Sequence, residues 1–151
     1  MTRIARIVLV AVTIALAVVT ILWLEQELPT GPVPVAWDDE PCKECRMHVG
    51  EPGSAAQLQT RAGDVLNFDD PGCLLRWTSA HHPPTHAIYF HDSRSDRWLT
   101  ARDTAFLPGA QTPMGYGLAA VQRGTAGAVS LREARRIVAT HGDASERAAS
   151  R

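Results

Sequence analysis

Four sulfur-bearing side chains pose the chemical question. The segment Pro41-Cys42-Lys43-Glu44-Cys45-Arg46-Met47-His48 puts two thiols, a thioether and an imidazole into the seven residues from Cys42 to His48. A C-x-x-C spacing lets both sulfurs turn toward one metal ion, and a residue two positions further along an extended chain points to the same side as Cys45. Cys45 and Met47 can therefore share an ion. Apart from Met1, the remaining methionine is Met114, carried in a Pro113-Met114-Gly115 turn that would present it outward. Thiolate plus thioether is a soft donor set suited to Cu(I), whereas zinc takes Cys, His or carboxylate. Taken alone, the C-x-x-C pair also allows a redox dithiol, a structural zinc site completed by histidines, or a plain disulfide.

The other candidates carry bland readings. Cys73, beside Leu74 and Leu75, reads as a small buried hydrophobe and only secondarily as a ligand. His48, next to Met47, reads as a solvated neighbour with a secondary ligand role, and His81, His82, His86 and His91 as ordinary histidines around a helix end and a strand. Asp69-Asp70 reads as a helix cap rather than a catalytic pair. The chain has no G-x-S-x-G, no phosphate-cradling loop and no H-E-x-x-H, and Lys43 is its single lysine. Catalytic residues are therefore expected to be none; thiol chemistry through Cys42 and Cys45 is the one enzymatic class left open.

Short α+β elements must position these residues. Ala56 to Thr60 and Val65 to Phe68 alternate around an Arg61-Ala62-Gly63-Asp64 turn, which predicts a hairpin. Asp70-Pro71 is an N-cap followed by proline at the first helical position, starting a helix through Cys73 and Trp77; Ala87 to Phe90 is the next strand. That order is ββαβ. Trp98-Leu99-Thr100, Ala105-Phe106-Leu107 and Leu118 to Val121 suggest a second, similar unit, whose helix opens with the capping box Ser130-x-x-Glu133 and is expected to stop at Gly142. Similarity between the two halves is too weak to establish a repeat.

Composition frames the rest. Fifteen basic against sixteen acidic side chains, net charge −1, leave no excess positive charge for a nucleic-acid surface, and three cysteines are too few for a disulfide scaffold. From Ile7 to Leu24 no residue is charged, and eighteen helical residues span roughly 27 Å, close to the hydrocarbon thickness of a bilayer. Arg3 and Arg6 precede this run and Glu25 and Glu27 follow it, so the N-terminus is expected in the cytoplasm and the rest in the periplasm or another extracytoplasmic space, with Trp23 at the outer interface. A cleaved signal is the rival; the run is longer than such segments and lacks a small-x-small site. The expected boundaries are residues 1–6 as a cytoplasmic end, 7–24 as a transmembrane anchor, 25–40 as a proline-rich spacer lifting the domain off the membrane, 41–142 as the domain, and 143–151 as a disordered tail.

Taken together, Cys42-x-x-Cys45-x-Met47, Asn67-Phe68-Asp69-Asp70, Trp98-Leu99-Thr100-Ala101 and Pro113-Met114-Gly115-Tyr116-Gly117 resemble the NosL family, copper accessory factors of periplasmic nitrous oxide reductase, over about Pro41 to Gly142. The resemblance implies two ββαβ units related to the organomercurial lyase fold. It also implies Cu(I) binding for delivery to the reductase apoprotein or another copper-site protein, with Cys45, Met47 and Met114 at copper-ligand positions and Cys42 completing the motif. Family members are usually lipoproteins; this chain lacks the boundary cysteine and offers a transmembrane helix instead.

Overall fold

The computed structural model describes residues 3–24 and 28–149, and side chains only up to residue 21 in the first helix and residue 141 in the last. The charge step at Glu25 and Glu27, the side chain of Trp23 and residues 150 and 151 lie outside the described residues. The first helix, α1 (Arg3–Leu24), has 22 residues, and its window Arg3–Ile21 is long and apolar enough to cross a membrane. None of that window is buried within the molecule, so its leucines, isoleucines and valines have no protein partner. Both of its threonine hydroxyls bond within the helix, that of Thr13 donating to the Val10 carbonyl at 2.9 Å and that of Thr20 to the Leu16 carbonyl at 2.8 Å, as an apolar surround would require.

The hairpin and helix form where local chemistry places them. Strands β1 (Ala56–Thr60) and β2 (Val65–Phe68) pair antiparallel, with Gln59 opposite Val65 and Ala56 opposite Phe68. The turn between them closes through the Thr60 hydroxyl, which accepts from the Asp64 amide at 3.0 Å, with Gly63 at φ 94. Helix α2 (Pro71–His81) starts at the Asp70 cap, whose carboxylate accepts from the Gly72 amide at 2.7 Å, and ends where His82 turns left-handed at φ 45. Strand β3 (Thr85–His91) then pairs with β1, and β4 (Trp98–Thr100) pairs with β3, giving a sheet of order β2-β1-β3-β4.

The second half differs from the expected copy. Strands β5 (Thr104–Pro108) and β6 (Leu118–Gln122) form a separate two-stranded sheet, followed by α3 (Leu131–Ala149). The strand at Trp98 belongs to the first sheet, and among the described residues no strand follows α3, so this half is ββα rather than ββαβ. The cause is a pairing preference: Leu99 sits opposite Phe90 in the register of the first sheet, while Phe90 and Phe106 meet edge to face at 5.0 Å and carry the core across to the second. Helix α3 also runs past Gly142 to Ala149. One interior glycine costs only about 1 kcal/mol relative to alanine, and Asp143 to Ala149 contains no proline to stop the helix. The capping box is half formed, because the Ser130 hydroxyl accepts from the Glu133 amide at 3.3 Å while the Glu133 carboxylate turns to Arg136 at 3.2 Å.

The proline-rich segment is docked rather than free. Strand β1 is buried on both faces: Ala56 and Leu58 face the core, and Gln57 and Gln59 lie beneath the extended chain at Gly31 and Val33. Gln57 mimics a strand partner, its Oε1 accepting from the Val33 amide at 2.8 Å and its Nε2 donating to the Val33 carbonyl at 2.9 Å. Gln59 Nε2 donates to the Gly31 carbonyl at 2.7 Å. Gln59 Oε1 is buried without a donor, beside a stretch where Pro32 and Pro34 remove two backbone N–H groups.

Candidate metal centre

The cysteine loop is a tight, prefolded hairpin. Pro41 and His48 bridge across its base, the Cys42 amide donates to the Met47 carbonyl at 2.7 Å, and the Arg46 amide donates to the Cys42 carbonyl at 3.1 Å. Such a reversal in so few residues puts Arg46 at φ 66, an uncommon conformation for a residue with a Cβ. Two contacts fix the loop to the domain. The Lys43 amide donates to the Asn67 carbonyl of β2 at 2.9 Å, and Glu44 pairs with Arg76 of α2 at 3.0 Å.

Against this loop stands the first turn of α2, and with it Cys73. The sulfurs of Cys42, Cys45 and Cys73 all lie within 4.8 Å of one another. All three are free thiols, with Cys42 and Cys73 buried and Cys45 half-buried. Bonds of about 2.3 Å from one metal ion would set its sulfur ligands roughly 4 Å apart, so the three can close on an ion with sub-ångström adjustment. Cys73 is as buried as its core reading required, but it borders the thiol pair. It lies three residues after the Asp70 cap, in the first turn of α2.

Electrostatics make the three thiols unequal. The Cys42 thiol is held down to about 5, chiefly by a hydrogen bond from Cys73, with the amides of Asp69, Cys45 and Glu44 acting in the same direction against burial. Cys73 is pushed up by that same bond, by burial and by the charge of Cys42. Burial also raises Cys45, against an opposing hydrogen bond from the Met47 amide. The cluster thus holds one preformed thiolate and two thiols whose protons a soft cation would displace.

A third segment closes on the same end of α2. The buried Asp70 carboxylate, besides capping Gly72, accepts from the Met114 amide at 3.1 Å and from Thr112, contacts that oppose without cancelling the upward push of burial on its pKa. Tyr116 packs on Gly72 so closely that a Cβ there would lie 2.1 Å from the ring, and its hydroxyl meets Arg76 Nη1 at 3.5 Å. Gly115 and Gly117 on either side adopt φ 71 and φ 70, which shape the turn. Met114 is 38% exposed and Met47 60%. These two thioethers, both expected as ligands, are thus carried on the segments flanking the thiols. His48 is exposed and stands outside the three-donor group. The remaining histidine candidates have other contacts: His81 stacks on Trp77 at 4.5 Å, His86 meets the Pro29 carbonyl at 3.2 Å, and buried His91 lies between Trp37 and Trp98 with Asp96 at 3.2 Å.

Comparison with protein-family models and with curated proteins returns no match. Among solved structures, the chain is similar to the crystal structure of the copper chaperone NosL from Shewanella denitrificans, at a TM-score of 0.52 and 20% identity, covering 74% of this chain and 89% of that one. At that identity the likeness is one of fold alone, a mixed α+β arrangement.

Proposed function

We propose that this protein is a membrane-anchored extracytoplasmic Cu(I) chaperone that supplies copper to a copper-site apoprotein, nitrous oxide reductase being the recipient that the NosL resemblance implies. The observation that carries this reading is the grouping of three sulfurs within 4.8 Å of one another. Cys42 supplies the resident thiolate and Cys45 the second sulfur, with Cys73 as the third within reach. Met47 and Met114, both partly exposed, act as outer ligands through which the ion enters and leaves. Thiolates and thioethers favour Cu(I) over zinc. Capture releases protons from the two raised thiols, and handover is ligand exchange with the incoming sulfurs or imidazoles of the acceptor, with no turnover of the protein itself.

One observation favours a second reading. A Cys42 thiol held down to about 5 beside Cys45 is also what a membrane-tethered thiol-disulfide reductase would need. A structural zinc module is the third. Metal analysis of protein prepared under reducing conditions separates them, as copper, no metal or zinc. The decisive test is a Cu(I) competition titration against a chelator for wild type, Met47→Leu, Met114→Leu and Cys73→Ala. Each variant should keep its fold and bind Cu(I) more weakly, by about tenfold for each 1.4 kcal/mol of coordination lost. Undiminished affinity in both methionine variants would remove the thioethers from the site.

A further inference from the structure

The docked proline segment has a direction relative to the thiol cluster. Pro29 meets His86, Gly31 meets Gln59 and Val33 meets Gln57, so the chain climbs along β1 from its Thr60 end toward its Ala56 end. Gln59 pairs with Val65, and the cluster lies four residues further up β2, where the Asp69 amide faces Cys42. At about 3.3 Å per residue this is roughly 13 Å above Gln59, and roughly 20 Å above the level of Pro29. Helix α1 ends at Leu24, and five residue steps to Pro29 can reach no more than about 18 Å in any conformation. The domain is thus tied close to α1 at one end of its sheet and carries its thiols at the other.

We propose that this strap orients the domain, holding the thiol cluster at the membrane-distal end, where it exchanges metal with a soluble protein rather than a membrane-embedded one. The inference rests on α1 spanning the bilayer and does not depend on the identity of the metal. The Gln57 clamp on Val33 is what converts a short tether into an orientation. Without it, residues 28–36 would act as a free spacer and the domain would sample every attitude to the surface.

The test uses the full chain in liposomes, with a fluorophore introduced through a non-native amino acid at exposed Arg61 or at exposed Arg46. Flotation first reports on the anchor; a chain that fails to float would overturn the anchored reading and this inference with it. With the chain anchored, headgroup-attached quenchers should act several-fold more strongly on position 61 than on position 46. Inserting about ten Gly/Ser residues between Leu24 and Pro29 should erase that difference by adding free tether. A bulky polymer-linked maleimide should modify Cys45 equally fast with the native and the lengthened tether. Equal or reversed quenching in the native chain, or Cys45 shielded several-fold until the tether is lengthened, would overturn the orientation while leaving the anchor intact.

Discussion

Substituting Gly72 by alanine tests how the Met114 turn is attached to α2. Helix propensity alone predicts a gain of up to about 1 kcal/mol for glycine to alanine, less near a helix N-terminus. The structure predicts the opposite sign. The new methyl would meet Tyr116 Cγ at 2.1 Å and its Cβ and Cδ2 at 2.4 Å, where carbon atoms normally rest about 3.5–4.0 Å apart. The near end of the ring is involved, so no rotamer change relieves the clash and the turn itself must retreat by more than an ångström. Overpacking of this kind costs about 1–3 kcal/mol, leaving a net loss of about 1–2 kcal/mol, or roughly 4–10 °C in Tm for a domain of this size. Retreat of Tyr116 also draws Met114 away from Asp70, so Cu(I) affinity should fall, but by no more than in Met114→Leu. Thermal denaturation and the chelator titration read the two effects. Tyr116→Gly in the same chain removes all three of those atoms, and in that background Gly72→Ala should become neutral or stabilising. A Gly72→Ala protein with unchanged or raised Tm would refute the packing argument.

Two further outcomes follow from the buried charges around the site. Between about 5 and the ordinary thiol value of 9.0 the folded chain carries Cys42 as a thiolate while the unfolded chain keeps it protonated. Folding then releases a proton, and apo-protein stability should rise with pH by at most about 1.4 kcal/mol per unit. Above that range Cys45 and Cys73, both raised, retain protons that the unfolded chain has lost, so stability should fall again; a denaturation series across pH should show a maximum near the ordinary thiol value, and Cys42→Ser should flatten its acid limb. Asp70→Ala removes a helix cap and strands the Met114 amide, and should cost about 2 kcal/mol by chemical denaturation and weaken Cu(I) binding as well, whereas Asp70→Asn, which keeps an acceptor for Gly72, should cost less.

Where local chemistry decides, the chain was legible. Alternation around Gly63, the Asp70-Pro71 start of α2 and the apolar stretch in α1 all rest on neighbours in sequence, whereas the chain from Cys45 to Met47, read as extended, reverses at Arg46. What escaped depends on distant partners. A cysteine beside two leucines in a helix has the same pattern whether it faces core or cluster, so the sequence puts Cys73 first in the core and only second among the ligands. Gln57 and Gln59 alternate with apolar residues as a solvated face would, and only the strap above them accounts for their burial. The assignment of Trp98 to Thr100 to the first sheet is a matter of register, which one strand's own residues do not encode.

The Asp70 contact with Met114 spans 44 residues, a longer closure than any contact among the three thiols requires. Cys42 and Cys45 meet through a loop that closes on itself, at little entropic cost. Cys73 joins once the hairpin and α2 have docked on that loop. The Met114 turn joins through the longest of these loops, and β5 and β6 must pair to present it. On the proposed export of an unfolded chain, the dithiol would be in place through local contacts alone, ahead of the complete soft-metal pocket. Under that reading the two neighbouring sulfurs would meet the oxidants of the compartment without the shelter of the finished fold, and early copper capture would compete directly with disulfide closure.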